Sequence, residues 1–146
     1  ICGEEIGNIK AEYSQLNGIK INKSLAPLLI DEYPILSIAA SRAKGKTHMY
    51  GLDELRKKES DRIKSIIINL NKVGIKATNE KDKISIHGGG RLPQKNIRIQ
   101  TFGDHRIAMA FLILNIICNA NLKLDNDKCI SISYPNFKKD LKKLIK

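Results

Sequence analysis

Three short clusters hold the residue types that acid–base chemistry on an anionic substrate requires. The first is Asp31-Glu32-Tyr33-Pro34, two carboxylates followed closely by a proline. The second is Glu54-Leu55-Arg56-Lys57-Lys58-Glu59-Ser60-Asp61-Arg62, dense in both signs of charge. The third is Thr101-Phe102-Gly103-Asp104-His105-Arg106. A carboxylate accepts or delivers a proton, and a lysine ammonium is a point charge for an oxyanion. The planar fork of arginine meets a carboxylate or phosphate with two parallel hydrogen bonds. Unpaired N–H groups in the first turn of a helix favour the same ligands. Lys58 falls beside one such helix start with Arg62 one turn in, and Arg106 falls in the first turn of another.

Each cluster also has a plain structural reading. Asp31 reads as a helix N-cap, and the second cluster as a solvated helix start. The third resists that reading. Ile107, Ala108, Met109, Ala110, Phe111 and Leu112 follow at once, so three polar residues lead a helix that must be buried. Asp104 there reads as a structural cap or an arginine partner.

The elements that would position these clusters follow from periodicity. Ile6 to Tyr13 and Gly18 to Ile21 read as strands around a Gln15-Leu16-Asn17-Gly18 turn. A helix is predicted from Asp31 to Arg42, with Pro34 in its first turn. Thr47 to Tyr50 is a strand. Ser60 to Val73 is a helix with Ile63, Ile66, Ile67 and Leu70 on one face, stopped by Gly74. Strands are predicted at Ile75–Thr78, Ile84–His87, Ile97–Ile99 and Leu122–Leu124, and further helices at Asp104–Cys118 and Tyr134–Ile145. His87-Gly88-Gly89-Gly90 resembles an esterase oxyanion loop, but no G-x-S-x-G accompanies it, and it reads as a flexible loop. The order is βαβαββ and then βαβα: an α/β class in which one unit occurs twice, the second without its last two strands.

Composition bounds the partners. The 146 residues are 42% apolar and 28% charged, which excludes a disordered or fibrous chain. The longest apolar run, Ile107 to Cys118, falls short of the ~18–20 residues that span a membrane. The chain opens on Ile1 without a basic-then-apolar leader, so the sequence predicts no signal peptide and a segment of something longer. The net charge of +11 brings a nucleic-acid partner to mind. Yet 20 of the 26 basic residues are Lys, Trp is absent, and no zinc-finger or RNP pattern occurs. Surface lysines and a small anionic substrate account for the charge instead. Cys2, Cys118 and Cys129 are odd in number and widely spaced, which suits a reducing cytoplasm rather than a disulfide framework.

Together the clusters resemble a known family. Lys58-Glu59-Ser60-Asp61-Arg62, followed some forty residues later by Gly103-Asp104-His105-Arg106-Ile107-Ala108-Met109, is similar to the paired signature of the 3-phosphoshikimate 1-carboxyvinyltransferases, or EPSP synthases. Leu29 to Pro34, Ala43 to Thr47 and Ser133 to Phe137 flank these motifs in the family's order, so the resemblance covers essentially the whole chain. It implies transfer of the enolpyruvyl group of phosphoenolpyruvate to the 5-hydroxyl of shikimate 3-phosphate, a step of the shikimate pathway to aromatic amino acids. It implies an inside-out α/β barrel fold of two lobes built from βαβαββ units, with helices inside and substrates in the cleft. Residues 1–146 would be an incomplete C-terminal lobe, inactive without the N-terminal part of the enzyme.

By position, the resemblance makes Asp31 the proton acceptor and a shikimate 3-phosphate ligand. Lys58 contacts the shikimate and the reacting centre, and Glu59 is the acid that serves the methylene carbon. Arg62 and Arg106 bind phosphoenolpyruvate, and His105 supports the site. Glu54 and Ile132 stand where some members carry a substrate-binding Asn and Lys, a subtype difference. No metal, cofactor, nucleic acid or membrane partner is implied, and the full enzyme is expected to be a cytoplasmic monomer. Two alternatives stay open here: UDP-N-acetylglucosamine enolpyruvyltransferase, which shares the reaction, and a basic nucleic-acid-binding module.

Overall fold

Two parallel β–α–β crossings organise the chain, each burying its helix. The computed structural model describes residues 7–92 and 96–145. In the first crossing, β1 (Lys20–Ile21) leads through α1 (Ala26–Leu29) and α2 (Tyr33–Arg42) to β2 (Lys46–Met49). β1 and β2 are parallel, with Ile21 opposite Met49. After α3 (Arg62–Lys72), β3 (Ala77–Glu80) and β4 (Lys83–His87) form a hairpin. β4 also pairs antiparallel with β2, giving the order β1-β2-β4-β3. The second crossing is β5 (Ile97–Ile99), α4 (His105–Ile117) and β6 (Leu122–Leu124), with Ile97 opposite Leu122. Two short helices follow, α5 (Ile130–Ser133) and α6 (Phe137–Leu144). The expected repeat therefore holds: a full βαβαββ unit, then a βαβ with helices.

The helices follow from their sequences. On α3, Ile63, Ile66 and Leu70 are buried while Lys64 and Lys72 face water. Its N-cap Asp61 accepts from the Lys64 N–H at 3.0 Å, and Gly74, at φ +81°, ends the turn as only glycine does without strain. α4 is apolar around its circumference, as a helix packed on several sides must be. It touches α2, α3 and α5, and buries Ile107, Ala108, Ala110, Phe111 and Leu114. The sheet turns Met49, Ile84 and Ile86 to this core, while Lys46, Lys83 and His87 alternate with them on the other face.

Several boundaries differ from expectation. Residues 7–13 form no strand, and Ile9 and Tyr13 are exposed, with no strand paired to them among the described residues; Ile6 lies outside the described residues. The strand from Gly18 shortens to Lys20–Ile21, preceded by a bridge between Asn17 and Lys44. The helix expected from Tyr134 begins at Phe137, so Pro135 precedes it; Tyr134 instead donates its hydroxyl to Asp140 at 2.9 Å. The glycine run is not a flexible loop. Gly88 donates to the Gly45 carbonyl at 2.9 Å, Gly89 to Ser41 at 3.1 Å, and Arg42 donates to the Gly90 carbonyl at 2.8 Å. A Cβ on Gly88 would lie 2.1 Å from the Ala43 carbonyl oxygen and 2.3 Å from that of Ala40. Glycine stands there because strand β4 and the end of α2 meet backbone to backbone. Among the described residues no helix is long and apolar enough to cross a membrane.

Candidate active site

The starts of α2, α3 and α4 converge, and each delivers one of the three charged clusters. Arg62, the first residue of α3, sits at the centre with its side chain 1% exposed. Its three guanidinium nitrogens each donate to a carboxylate. Nε reaches Asp104 Oδ2 at 2.8 Å, one Nη reaches Asp31 Oδ1 at 2.8 Å, and the other reaches Glu59 Oε2 at 2.5 Å. A buried guanidinium is tolerable only when paired and hydrogen-bonded in this way. Burial opposes its charge, but the hydrogen bonds it donates to Asp104 and Asp31 and the negative charges of Asp104 and Glu59 outweigh that, so Arg62 holds its proton more firmly than usual.

Asp104 fastens two motifs together. It is fully buried and caps α4, its Oδ1 accepting from the backbone N–H of Arg106 at 2.9 Å and of Ile107 at 3.4 Å. Its Oδ2 accepts from Arg62 Nε and from the Ser60 hydroxyl at 3.1 Å. It is thus both the cap and the arginine partner. The approach to it is a tight turn in which Phe102 and Gly103 take φ of +54° and +73°. Asp125 braces this turn by accepting from the Thr101 N–H at 2.9 Å and hydroxyl at 2.7 Å.

Asp31 does not cap α2; Glu32 occupies that position without a side-chain bond. The Asp31 carboxylate turns to the cations instead: Arg62 at 2.8 Å, Lys58 at 3.3 Å and Arg106 at 3.6 Å. Burial opposes its ionisation, but the hydrogen bonds from Arg62 and Lys58 and the charge of Arg106 outweigh that and hold its pKa below the ordinary value. Arg106 donates from one Nη to the Asp31 carbonyl at 2.9 Å and to Glu32 Oε1 at 3.1 Å. Asp31, Lys58, Glu59, Arg62 and Arg106 thus form one network. His105 lies outside it: among the described residues its ring makes no hydrogen bond. Glu54 is exposed, lining a shallow pocket with Lys23 and Gly51, and Ile132 is exposed on α5.

Three cations face four carboxylates here, so the site is nearly neutral in itself. Beside it runs a mostly apolar groove of about 420 Å³ lined by Pro34, Ile35, Met109 and Ile113, with Glu32 and Arg106 on its wall. Among the described residues no group of three or more His, Cys, Asp and Glu side chains could hold a metal ion. Sequence reasoning misses two residues that flank the network: Ser60, which donates to Asp104, stands there only as part of a motif, and Glu32, which accepts from Arg106, only as a neighbour of Asp31. Nothing in the spacing shows that Glu32 meets an arginine 74 positions on.

Comparison with known proteins gives the family and the fold. A family model described as EPSP synthase (3-phosphoshikimate 1-carboxyvinyltransferase) matches residues 2–141. The chain is 42% identical over 144 residues to the 3-phosphoshikimate 1-carboxyvinyltransferase of Alkaliphilus metalliredigens, covering 99% of this chain and 33% of that protein. It is 45% identical over 134 residues to that of Clostridium tetani, covering 92% and 30%. Among solved structures it superposes on an EPSP synthase from Acinetobacter baumannii with a TM-score of 0.76 at 33% identity, over 88% of this chain and 30% of that one. It shares its fold with the enolpyruvyl transferase NikO of Streptomyces tendae, TM-score 0.67 at 16% identity, over 90% and 29%. The chain spans about a third of the length of the curated relatives it matches.

Proposed function

This chain belongs to the EPSP synthase family, and we propose that it supplies one wall of the active site of a 3-phosphoshikimate 1-carboxyvinyltransferase. Residues 1–146 make the later units of the C-terminal lobe, and the rest of the enzyme supplies the facing wall. The observation that carries this reading is the network in which Asp31, Lys58, Glu59, Arg62 and Arg106 meet from three helix starts.

The substrates are phosphoenolpyruvate and shikimate 3-phosphate, and the reaction divides into an addition and an elimination. In the addition, the 5-hydroxyl oxygen of shikimate 3-phosphate bonds to the enol carbon and its proton passes to Asp31. Glu59, protonated as Arg62 turns from it to the substrate, gives its proton to the methylene carbon, which becomes a methyl group. In the elimination, phosphate leaves with the C–O bonding pair and takes up the proton held by Asp31, the methyl group returns a proton to Glu59, and the enol ether forms. Asp31 suits its task because the three cations keep it ionised. As those cations turn towards the substrate, their hold weakens and Asp31 becomes the stronger base. Lys58, 3.3 Å from Asp31, bridges shikimate and the reacting centre. Arg106 and Arg62 hold phosphoenolpyruvate. Arg62 meets it on the Nη edge, which faces the half-exposed Asp31 and Glu59, while its Nε edge stays locked to Asp104. His105 adjoins the site without entering the network. The reaction needs no cofactor, and we place the full enzyme in the cytoplasm as a monomer.

Phosphate release from both substrates tests the reading. The isolated 146 residues should turn over little or not at all. In the full-length protein that carries this chain, Asp31→Ala and Glu59→Gln should each lower kcat by about 10²–10⁴-fold, as losses of acid–base groups do. Arg106→Ala should chiefly raise KM for phosphoenolpyruvate. Near-wild-type kinetics for all three would sink the assignment.

A further inference from the structure

Glu32 carries no role in the reaction above, yet its carboxylate lies 3.1 Å from the Nη of Arg106. That Nη has two hydrogens; the Asp31 carbonyl takes one at 2.9 Å, and Glu32 takes the other. A bidentate Nη–Nη grip on an incoming carboxylate or phosphate is therefore closed while Glu32 is in place. The Asp31 carbonyl cannot leave, because it belongs to the backbone entering α2. The Glu32 carboxylate can: its side chain is 53% exposed and makes no capping bond to that helix. Among the described residues its one charge partner is Arg106. Arg106 itself is 32% exposed on the wall of the apolar groove, where an anion would arrive.

We infer that Glu32 is an internal competitor for Arg106, a resident anion that the substrate must displace and that sets the affinity for it. Glu32 discharges Arg106 in the empty site and swings into solvent when phosphoenolpyruvate takes the guanidinium. The contact weakens binding of every small anion at Arg106 and leaves the chemical step unchanged. Its negative charge also repels the substrate from the same position, so both effects of removing it have one sign.

This inference rests on the proposed activity, and the test separates the two. Steady-state kinetics of the full-length protein are compared with its Glu32→Gln variant, which keeps the shape and removes the charge. Exposed ion pairs are worth about 0.2–1 kcal/mol, so KM for phosphoenolpyruvate should fall by roughly 1.4- to 5-fold. The kcat should stay within about twofold, and the gain should shrink as salt is added, since the pair is exposed to screening. A merely structural role for Glu32 would raise KM or lower kcat and show no such salt dependence. An unchanged or raised KM in an active protein overturns the inference alone. A wild type that releases no phosphate from the two substrates overturns the proposed activity and the inference with it.

Discussion

Replacing Arg62 by methionine should be among the most damaging single changes in this chain. Methionine keeps an unbranched apolar stem and removes the charge and three hydrogen bonds. The three partners do not count equally. Asp31 and Glu59 have side chains 41% and 51% exposed, so losing their arginine costs about 0–1 kcal/mol each. Asp104 is different, because its side chain is 0% exposed and it cannot turn to water. Breaking a buried pair and stranding one charge costs about 3–5 kcal/mol. The expected loss is therefore about 3–5 kcal/mol, nearly all of it through Asp104. Urea unfolding followed by circular dichroism measures it; with a slope near 2 kcal/mol per molar, the midpoint falls by about 1.5–2.5 M. A double-mutant cycle locates the cause. Asp104→Asn keeps the cap to Arg106 and Ile107 but is neutral, so adding Arg62→Met to it should cost about 1–3 kcal/mol less than Arg62→Met alone. A loss under about 1 kcal/mol for Arg62→Met, the size of a surface pair, would refute the reasoning.

Gly88→Ala should destabilise by more than about 1 kcal/mol, since the new methyl meets two backbone carbonyls that cannot rotate away; thermal unfolding reads this, and an unchanged midpoint would contradict the close approach. Asp31, with its pKa depressed in the fold, should contribute stability above its unfolded pKa of about 3.8 that is lost as pH falls through the lower folded value; Asp31→Asn should flatten the acid limb of a stability–pH profile, and an unchanged limb would count against the network. His87 should titrate below the usual histidine value, because desolvation and the charges of Lys46, Lys76 and His48 disfavour its protonated form; NMR should show this pKa rising as salt is added, and a value that ignores salt would remove the lysines as a cause.

The helices were legible because their patterns leave one solution. The apolar face of α3 and the unbroken apolar run of α4 each dictate burial before any contact is known. The three clusters were legible as chemistry, and their meeting followed from the family resemblance rather than from spacing. Local rules failed where a tertiary partner outbid a local one. Asp31 looks like an N-cap, but three cations offer its carboxylate more than a helix end does, so α2 starts two residues later. Tyr134 looks helical, but its hydroxyl takes Asp140 and its ring meets Phe137 edge-on at 5.7 Å, delaying α6. The strand expected at residues 6–13 has the right alternation and no neighbour to pair with among the described residues. A strand is stabilised by its partner, which periodicity does not supply. The pairing of Glu32 with Arg106 was illegible for the same reason, since only the fold brings positions so distant together.

The β5–β6 pair has a consequence for how the molecule behaves among its own copies. Among the described residues neither strand has a second neighbour, so each leaves one row of backbone N–H and C=O groups unpaired. Such edges are templates for strand addition. What guards them is charge: Arg98 stands directly opposite Lys123 in the register, two exposed cations on the outer face. Any strand docking alongside must approach that pair, and another copy would bring the same charges. Like charges at this spacing weaken the ladder itself, a cost traded against aggregation. Because the guard is electrostatic and solvent-exposed, salt weakens it. The chain should therefore stay dispersed in dilute buffer and associate edge to edge as ionic strength rises, the reverse of what charge attraction to a polyanion would produce.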